Sequence, residues 1–253
     1  FATRPLTAPK AATVEMADMT WIEIRDAIRS GTTTVLVPSG GIEANGPHMI
    51  TDKHQHIVRL AARMIAVAHR DMLVAPVIPL SPQGDDAPAT GNMRWPGTIG
   101  VPPEAFEAAL EGVARSLKAA GFRRIVFMAD HGGSQQPQAN VAARLSESWR
   151  GDGVAVEALG AYYAEGDAAQ RRLLAARGET PASIGDHAGL QDTAELLFAY
   201  PDGVKLERLK GPLFAFEADG SSGQPARATR ELGEALIRAK VDAALAALRR
   251  PQS

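Results

Sequence analysis

Thr33-Thr-Val-Leu-Val37, running on as Pro-Ser39-Gly-Gly-Ile-Glu43-Ala-Asn45-Gly-Pro-His48-Met-Ile-Thr-Asp52-Lys-His54, is the stretch on which the fold turns. Its first five residues are β-branched or leucine throughout, the pattern of a strand buried on both faces. A loop rich in glycine and histidine follows. From residue 55 to 68, Ile57, Leu60, Ala61, Met64, Ile65 and Ala68 then recur at helical spacing. Strand, loop and helix make the first half of a βαβ unit, and the rest of the chain repeats it. Upstream, Thr20 caps a helix carrying Trp21, Ile22, Ile24 and Ile28, with Gly31 as its stop. Downstream, residues 72–80, 125–128 and 154–159 read as strands, the first of them at an edge or with an early exit because it contains Pro76 and Pro79. Helices are predicted from Pro103 to Gly121, after His131-Gly-Gly through Val141 and Leu145, and over residues 168–177, 193–200 and 228–248. This alternation predicts an α/β fold, a three-layer α/β/α arrangement around a mostly parallel sheet. With no internal repeat or linker, residues 1–19 are expected to be an N-terminal extension and 20–253 a single domain. Residues 81–103 are too long a connection for a compact domain unless they serve the site.

Composition narrows the partners. Lys+Arg 27 against Asp+Glu 29 leaves a formal net charge of -2 over 253 residues, so no basic field attracts nucleic acid. The best apolar run, residues 60–68, is short and broken by Arg63, so a membrane span is not expected. A soluble protein acting on a small molecule is the expectation. Cys 0 removes thiolate chemistry and sulfur-bound metals, so any metal must rest on His, Asp or Glu. The chain starts at Phe1, followed by an Ala/Pro/Thr-rich run to Ala12, which fits a mature exported (periplasmic) form with its signal peptide removed as well as a cytoplasmic protein.

In parallel sheets ligands bind beyond the carboxyl ends of the strands, and four of the six histidines, His48, His54, His131 and His187, fall in such loops. With Glu43 they form a nitrogen and oxygen set suited to zinc, manganese or iron. Glu43 follows a glycine pair at a strand end, which lets a carboxylate enter a cavity. His131 stands between a strand and two glycines, where backbone must approach something closely. One of His54 and His56 can face the crevice, since residues two apart on a helix lie on different sides. His69, in the last turn of its helix, is explained by the helix dipole. His187 has no packing rationale, which favours proton transfer. Asp192 begins a capping-box pattern, Asp192-Thr-Ala-Glu195, and is also close enough to His187 in sequence to serve the site.

These motifs together resemble the creatininase (creatinine amidohydrolase) family. Glu43, Gly46, Pro47 and His48 match its Glu-x-His-Gly-Pro-His motif, Pro96-Gly97-Thr98 its Pro-Gly-Thr, Asp130-His131-Gly132-Gly133 its Gly-His-Gly-Gly, and His187-Ala188-Gly189 its His-Ala-Gly. The order is right over residues 33–200. Two departures stand out. Asn45 takes the place of a metal-binding histidine, and His54, eleven positions after Glu43, replaces the aspartate that bridges two metals in the family. An imidazole offers one lone pair where a carboxylate shares two oxygens, so the resemblance, thus modified, implies one divalent metal per chain, zinc or else manganese or iron, on Glu43, His54 and His131. Asp192, where the family has Glu, becomes a doubtful fourth ligand.

The resemblance implies a metal-dependent amidohydrolase, cleaving the C–N bond of a small, often cyclic, non-peptide amide with a metal-activated water. In this scheme His187, assisted by Asp192, is the catalytic proton shuttle. Asn45 and His48 bind substrate or its oxyanion, and Trp95, residues 85–94, Tyr162 and Tyr163 set specificity. Family analogy implies a homo-oligomer, with a hexamer as the candidate size. Two alternatives stay open: a lactone hydrolase with the same centre, and a small-molecule binding protein that has lost catalysis.

Overall fold

The computed structural model describes residue 8 and residues 10–209, 211 and 214–250. Of the expected N-terminal extension, residues 1–7 and 9 lie outside the described residues, as does the Phe1 start. The strands are β1 (Thr34–Ser39), β2 (Met72–Val74), β3 (Arg124–Ala129) and β4 (Ala155–Ala158). They form one parallel sheet in the order β2-β1-β3-β4. The helices are α1 (Trp21–Arg29), α2 (Lys53–His69), α3 (Pro103–Ala120), α4 (Gln135–Ser148), α5 (Gly160–Ala176), α6 (Pro181–Ile184), α7 (Leu190–Ala199), α8 (Phe216–Asp219) and α9 (Arg230–Leu248). None is long and apolar enough to cross a membrane.

Alternate residues of the strands feed two cores, because successive side chains point to opposite faces. Leu36, Val126 and Met128 pack with Ile57, Ile65, Tyr162, Leu196, Ile237 and Val241 of α2, α5, α7 and α9. Val35, Val37, Ile125 and Phe127 pack with Phe106, Leu110, Val141 and Leu145 of α3 and α4. Three layers result, as predicted, and every residue of β1 is buried.

The second strand is shorter than the predicted 72–80. Regular pairing stops at Val74, yet Ala75 and Ile78 still donate N–H to the carbonyls of Leu36 and Pro38, each at 2.9 Å, while Pro76 and Pro79, which have no N–H, bracket the exit. Its outer edge is covered where the Val74 N–H donates to the Val14 carbonyl at 2.8 Å. The strand order reverses direction between β1 and β3. Their register pairs Ser39 with Ala129 at the carboxyl ends, so the loops holding Glu43 and His131 leave the sheet side by side.

Candidate metal centre

Three side chains converge above that paired end. Glu43, His54 and His131 each offer one ligand atom, and these atoms lie within 4.8 Å of one another. Glu43, 1% exposed, is the hub: its Oε1 is 2.8 Å from His54 Nε2 and its Oε2 is 3.2 Å from His131 Nε2. The helical start of α2 brings His54 into the crevice and leaves His56 outside, stacked on Tyr200 at 4.0 Å. His131 arrives directly from β3. The close approach expected at its glycines is real, because a Cβ on Gly133 would stand 2.4 Å from the Pro82 carbonyl oxygen. Asn92, from the long 81–103 connection, donates its amide to Glu43 Oε2. Thr98 holds that loop in place, accepting from the Ala44 N–H at 3.0 Å and donating to the Asn92 carbonyl at 2.8 Å.

A buried network stands behind His54. Its Nδ1 is 2.7 Å from Asp130 Oδ2, while Asp130 Oδ1 accepts from the Tyr162 hydroxyl at 2.8 Å and the Lys240 ammonium at 2.6 Å. A carboxylate on Nδ1 fixes the ring and aims Nε2 at Glu43, the arrangement metal-binding histidines need. Burial opposes charge on His54, and Lys53 adds to that opposition, but Glu43 and the hydrogen bond to Asp130 outweigh both and raise its pKa to about 9. Burial likewise opposes charge on Glu43, yet His54, Lys53 and the hydrogen bond from His131 carry its carboxyl well below the ordinary value. For His131, Nδ1 accepts from the Gly133 N–H at 3.2 Å, with Ser81 Oγ 3.4 Å away, which fixes the ring and leaves Nε2 facing Glu43. One carboxylate and two oriented imidazoles fit a divalent metal with nitrogen and oxygen preference.

Beside the triad, Lys53 Nζ lies 3.2 Å from Glu43 Oε1 and 3.2 Å from Asp192 Oδ2. Burial pushes the lysine toward neutrality, but Asp192 and Glu43 hold its pKa above the ordinary value. His187 Nδ1 stands 3.9 Å from the same Glu43 oxygen, and its Nε2 is 2.8 Å from the Ala44 carbonyl. A carbonyl only accepts, so Nε2 carries the proton and Nδ1 turns a lone pair toward the cavity. Burial and Lys53 lower the His187 pKa. The His187 loop is clamped: Ser222 Oγ accepts from the His187 N–H at 3.1 Å, and Asp192 Oδ2 accepts at 2.7 Å from the N–H of Ala188, whose φ is 49°. Glu43, Lys53, His54, His131, His187 and Asp192 line one cavity of about 310 Å³, with Tyr163, Asp167, Arg171 and Asp186 among its other walls.

A family model described as "Creatininase: Creatinine amidohydrolase" matches residues 17–248. The chain belongs to the creatininase family. It is an amidohydrolase fold with a family-wide dependence on metal, and its relatives carry two names. A "Mycofactocin precursor peptide peptidase" of Mycobacterium tuberculosis is 28% identical over 238 residues, covering 84% of this chain and 83% of that protein. A "Creatinine amidohydrolase" of Pseudomonas putida is 23% identical over 253 residues, covering 93% and 96%. A crystal structure of creatinine amidohydrolase (creatininase) shares the fold with a TM-score of 0.75 at 22% identity, covering 94% of this chain and 97% of that one.

Within this creatininase-family site, several residues stand elsewhere than the sequence placed them. Asn45 is not among the residues that line the cavity; its amide donates to the carbonyls of Glu43 and Ile50, at 2.9 and 3.1 Å, and so braces its own loop. His48 is fully buried behind the cavity with Nε2 2.9 Å from Thr193 Oγ1, and burial lowers its pKa to about 4. Trp95 does not line the cavity; it meets Phe216 edge-on at 6.3 Å, and Phe216 meets His187 at 5.1 Å. Tyr162 is a buried partner of Asp130, whereas Tyr163 does line the cavity. Asp192 is neither a helix cap nor one of the clustered ligands. Helix α7 starts at Leu190 with Gly189 as N-cap, so Asp192 sits inside its first turn and faces Lys53. Lys53, Asp130 and Lys240 were given no role in the site from sequence, and Asn92, within the segment 85–94 expected to set specificity, instead holds Glu43. Only Lys240 left a legible sign, a charge on the apolar stripe Leu236, Ile237, Val241 and Ala244 of the last helix.

Proposed function

We propose that this protein hydrolyses the C–N bond of a small polar amide at a single divalent metal, zinc by preference with manganese or iron as alternatives, held by Glu43, His54 and His131. The observation that carries this reading is the meeting of these ligand atoms within 4.8 Å at a cavity that His187 also enters. When bound, the metal supplies Lewis acidity, activating water and polarising the carbonyl. The chain's own residues do the rest. Asp130 keeps His54 oriented, Asn92 keeps Glu43 oriented, and the loop clamp keeps His187 in place. His187, neutral with its Nδ1 lone pair toward the cavity, takes the proton that water gives up and delivers it to the leaving nitrogen. The hydroxyl goes to the acyl carbon, the C–N bond breaks, and an acid and an amine leave.

The cavity volume of about 310 Å³ suits a compact amide such as a small ring. A second reading, an amide within a peptide, is favoured by the name of the mycobacterial relatives. Assays with creatinine-like rings and short peptides separate the two. Elemental analysis of protein purified without chelators is expected to give one metal per chain. His131→Ala should lose metal and turnover together. His187→Ala should keep the metal and lose about 10²–10⁴-fold in kcat. Two metals per chain, or an active His187→Ala, would contradict this scheme.

A further inference from the structure

Glu43 Oε1 is the meeting point of three nitrogens: His54 Nε2 at 2.8 Å, Lys53 Nζ at 3.2 Å and His187 Nδ1 at 3.9 Å. Two of these belong to groups already given a task. Lys53 has none, although its side chain is only 2% exposed and it lines the cavity. A buried ammonium is expensive unless its donors are used. It carries three N–H groups, and its ion-pair partners among the described residues are two, Glu43 and Asp192. One donor is left over at the cavity wall. Charge balance points the same way. Without a metal, Lys53 offsets the two carboxylates in part; with a divalent cation on Glu43, the group of Glu43, Asp192, Lys53 and the cation has one positive charge in excess. An amide under attack develops one negative charge on its carbonyl oxygen, and fixed donors aimed at that oxygen stabilise the transition state.

Resting on the amidohydrolase reading above, we propose that Lys53 is a catalytic residue whose ammonium donates a hydrogen bond to the substrate carbonyl oxygen as it becomes an oxyanion. It keeps its own proton throughout. Asp192 is then its positioning residue, holding Nζ at 3.2 Å beside Glu43. Because Lys53 and His54 are consecutive in the first turn of α2, the same turn delivers a metal ligand and the oxyanion donor in different directions.

The test uses zinc-loaded protein and two variants, Lys53→Met and Lys53→Gln, with calorimetric titration of zinc and of methylphosphonate, a tetrahedral anion resembling the attacked carbonyl. Zinc binding is expected to be as tight as in the wild type or tighter, since a competitor for Glu43 is gone. Methylphosphonate affinity is expected to fall at least about tenfold, and kcat by about 10²–10³-fold with KM little changed. Equal methylphosphonate affinity in wild type and variants, with zinc bound in each, would overturn the assignment of Lys53 and leave the metal reading standing. Loss of zinc from the variants would overturn it too, by placing Lys53 in support of the metal. A wild type that takes up no zinc would instead bring down the metal reading, and this assignment with it.

Discussion

Lys240 is shared unequally between two carboxylates: its Nζ is 2.6 Å from Asp130 Oδ1 and 3.5 Å from Glu195 Oε1. Asp130 stays ionised, and its carboxyl is held below the ordinary value by Lys240 and His54 despite burial. Glu195 is left the weaker share. Burial and the nearby Asp130 raise it from 4.5 to about 7, against the pull of Lys240. Between those two values the folded chain holds a proton that the unfolded chain has released, so stability falls as pH rises from about 4.5 to about 7. Glu195→Gln removes that loss while keeping an oxygen for the Gln170 amide, which now donates to Glu195 Oε1. The variant is expected to gain on the order of 1 kcal/mol relative to wild type at pH 8, roughly 2–4 °C in Tm. At pH 5 the gain should be smaller. Thermal melts at the two pH values check it, and a gain that is larger at pH 5 would refute the sign.

Among the elements, α9 is where the helical layer on its face of the sheet comes together, and its backbone runs very close to that of α7 at Gly233. A Cβ placed on Gly233 would lie 1.8 Å from the Ala194 carbonyl oxygen, which is backbone and cannot swing aside. Gly233→Ala should therefore cost about 1–3 kcal/mol or more, seen as a fall in urea midpoint with little change in m-value. The limits of prediction also lie at this level. The buried strand β1 and the amphipathic α2 were legible because one is uninterruptedly apolar and the other strictly periodic. Helix α5 begins at Gly160, eight residues before the expected 168, because glycines at 160 and 166 weaken the helical signal that tertiary packing restores. Helix α7 begins ahead of Asp192 for a related reason, its N-cap being a glycine without a capping side chain. The ligands Glu43, His54 and His131 could be picked out as polar residues at strand ends or by resemblance to a family. Asn92 could not, since nothing local in a long loop says where its amide will point. Lys53 was hidden by the default that a lysine in a first helical turn faces water.

For the molecule as a whole, the consequence of a shared cation is stability linked to metal. The triad joins the loop after β1, the first turn of α2 and the loop after β3, so an ion bound there ties together segments distant in sequence. Zinc present at about 100 times its Kd adds roughly 2.7 kcal/mol. Chelation should lower Tm by roughly 5–10 °C, reversed when zinc is returned. Scanning calorimetry with and without a chelator tests this, and an unchanged Tm would count against the site. Lys240, finally, reaches Asp130 from α9, the last helix described. On the ribosome, Asp130 emerges long before the Lys240 that neutralises it. The nascent chain therefore carries Asp130 without its counter-charge until α9 has cleared the exit tunnel, and the buried support behind His54 is completed only when that helix packs.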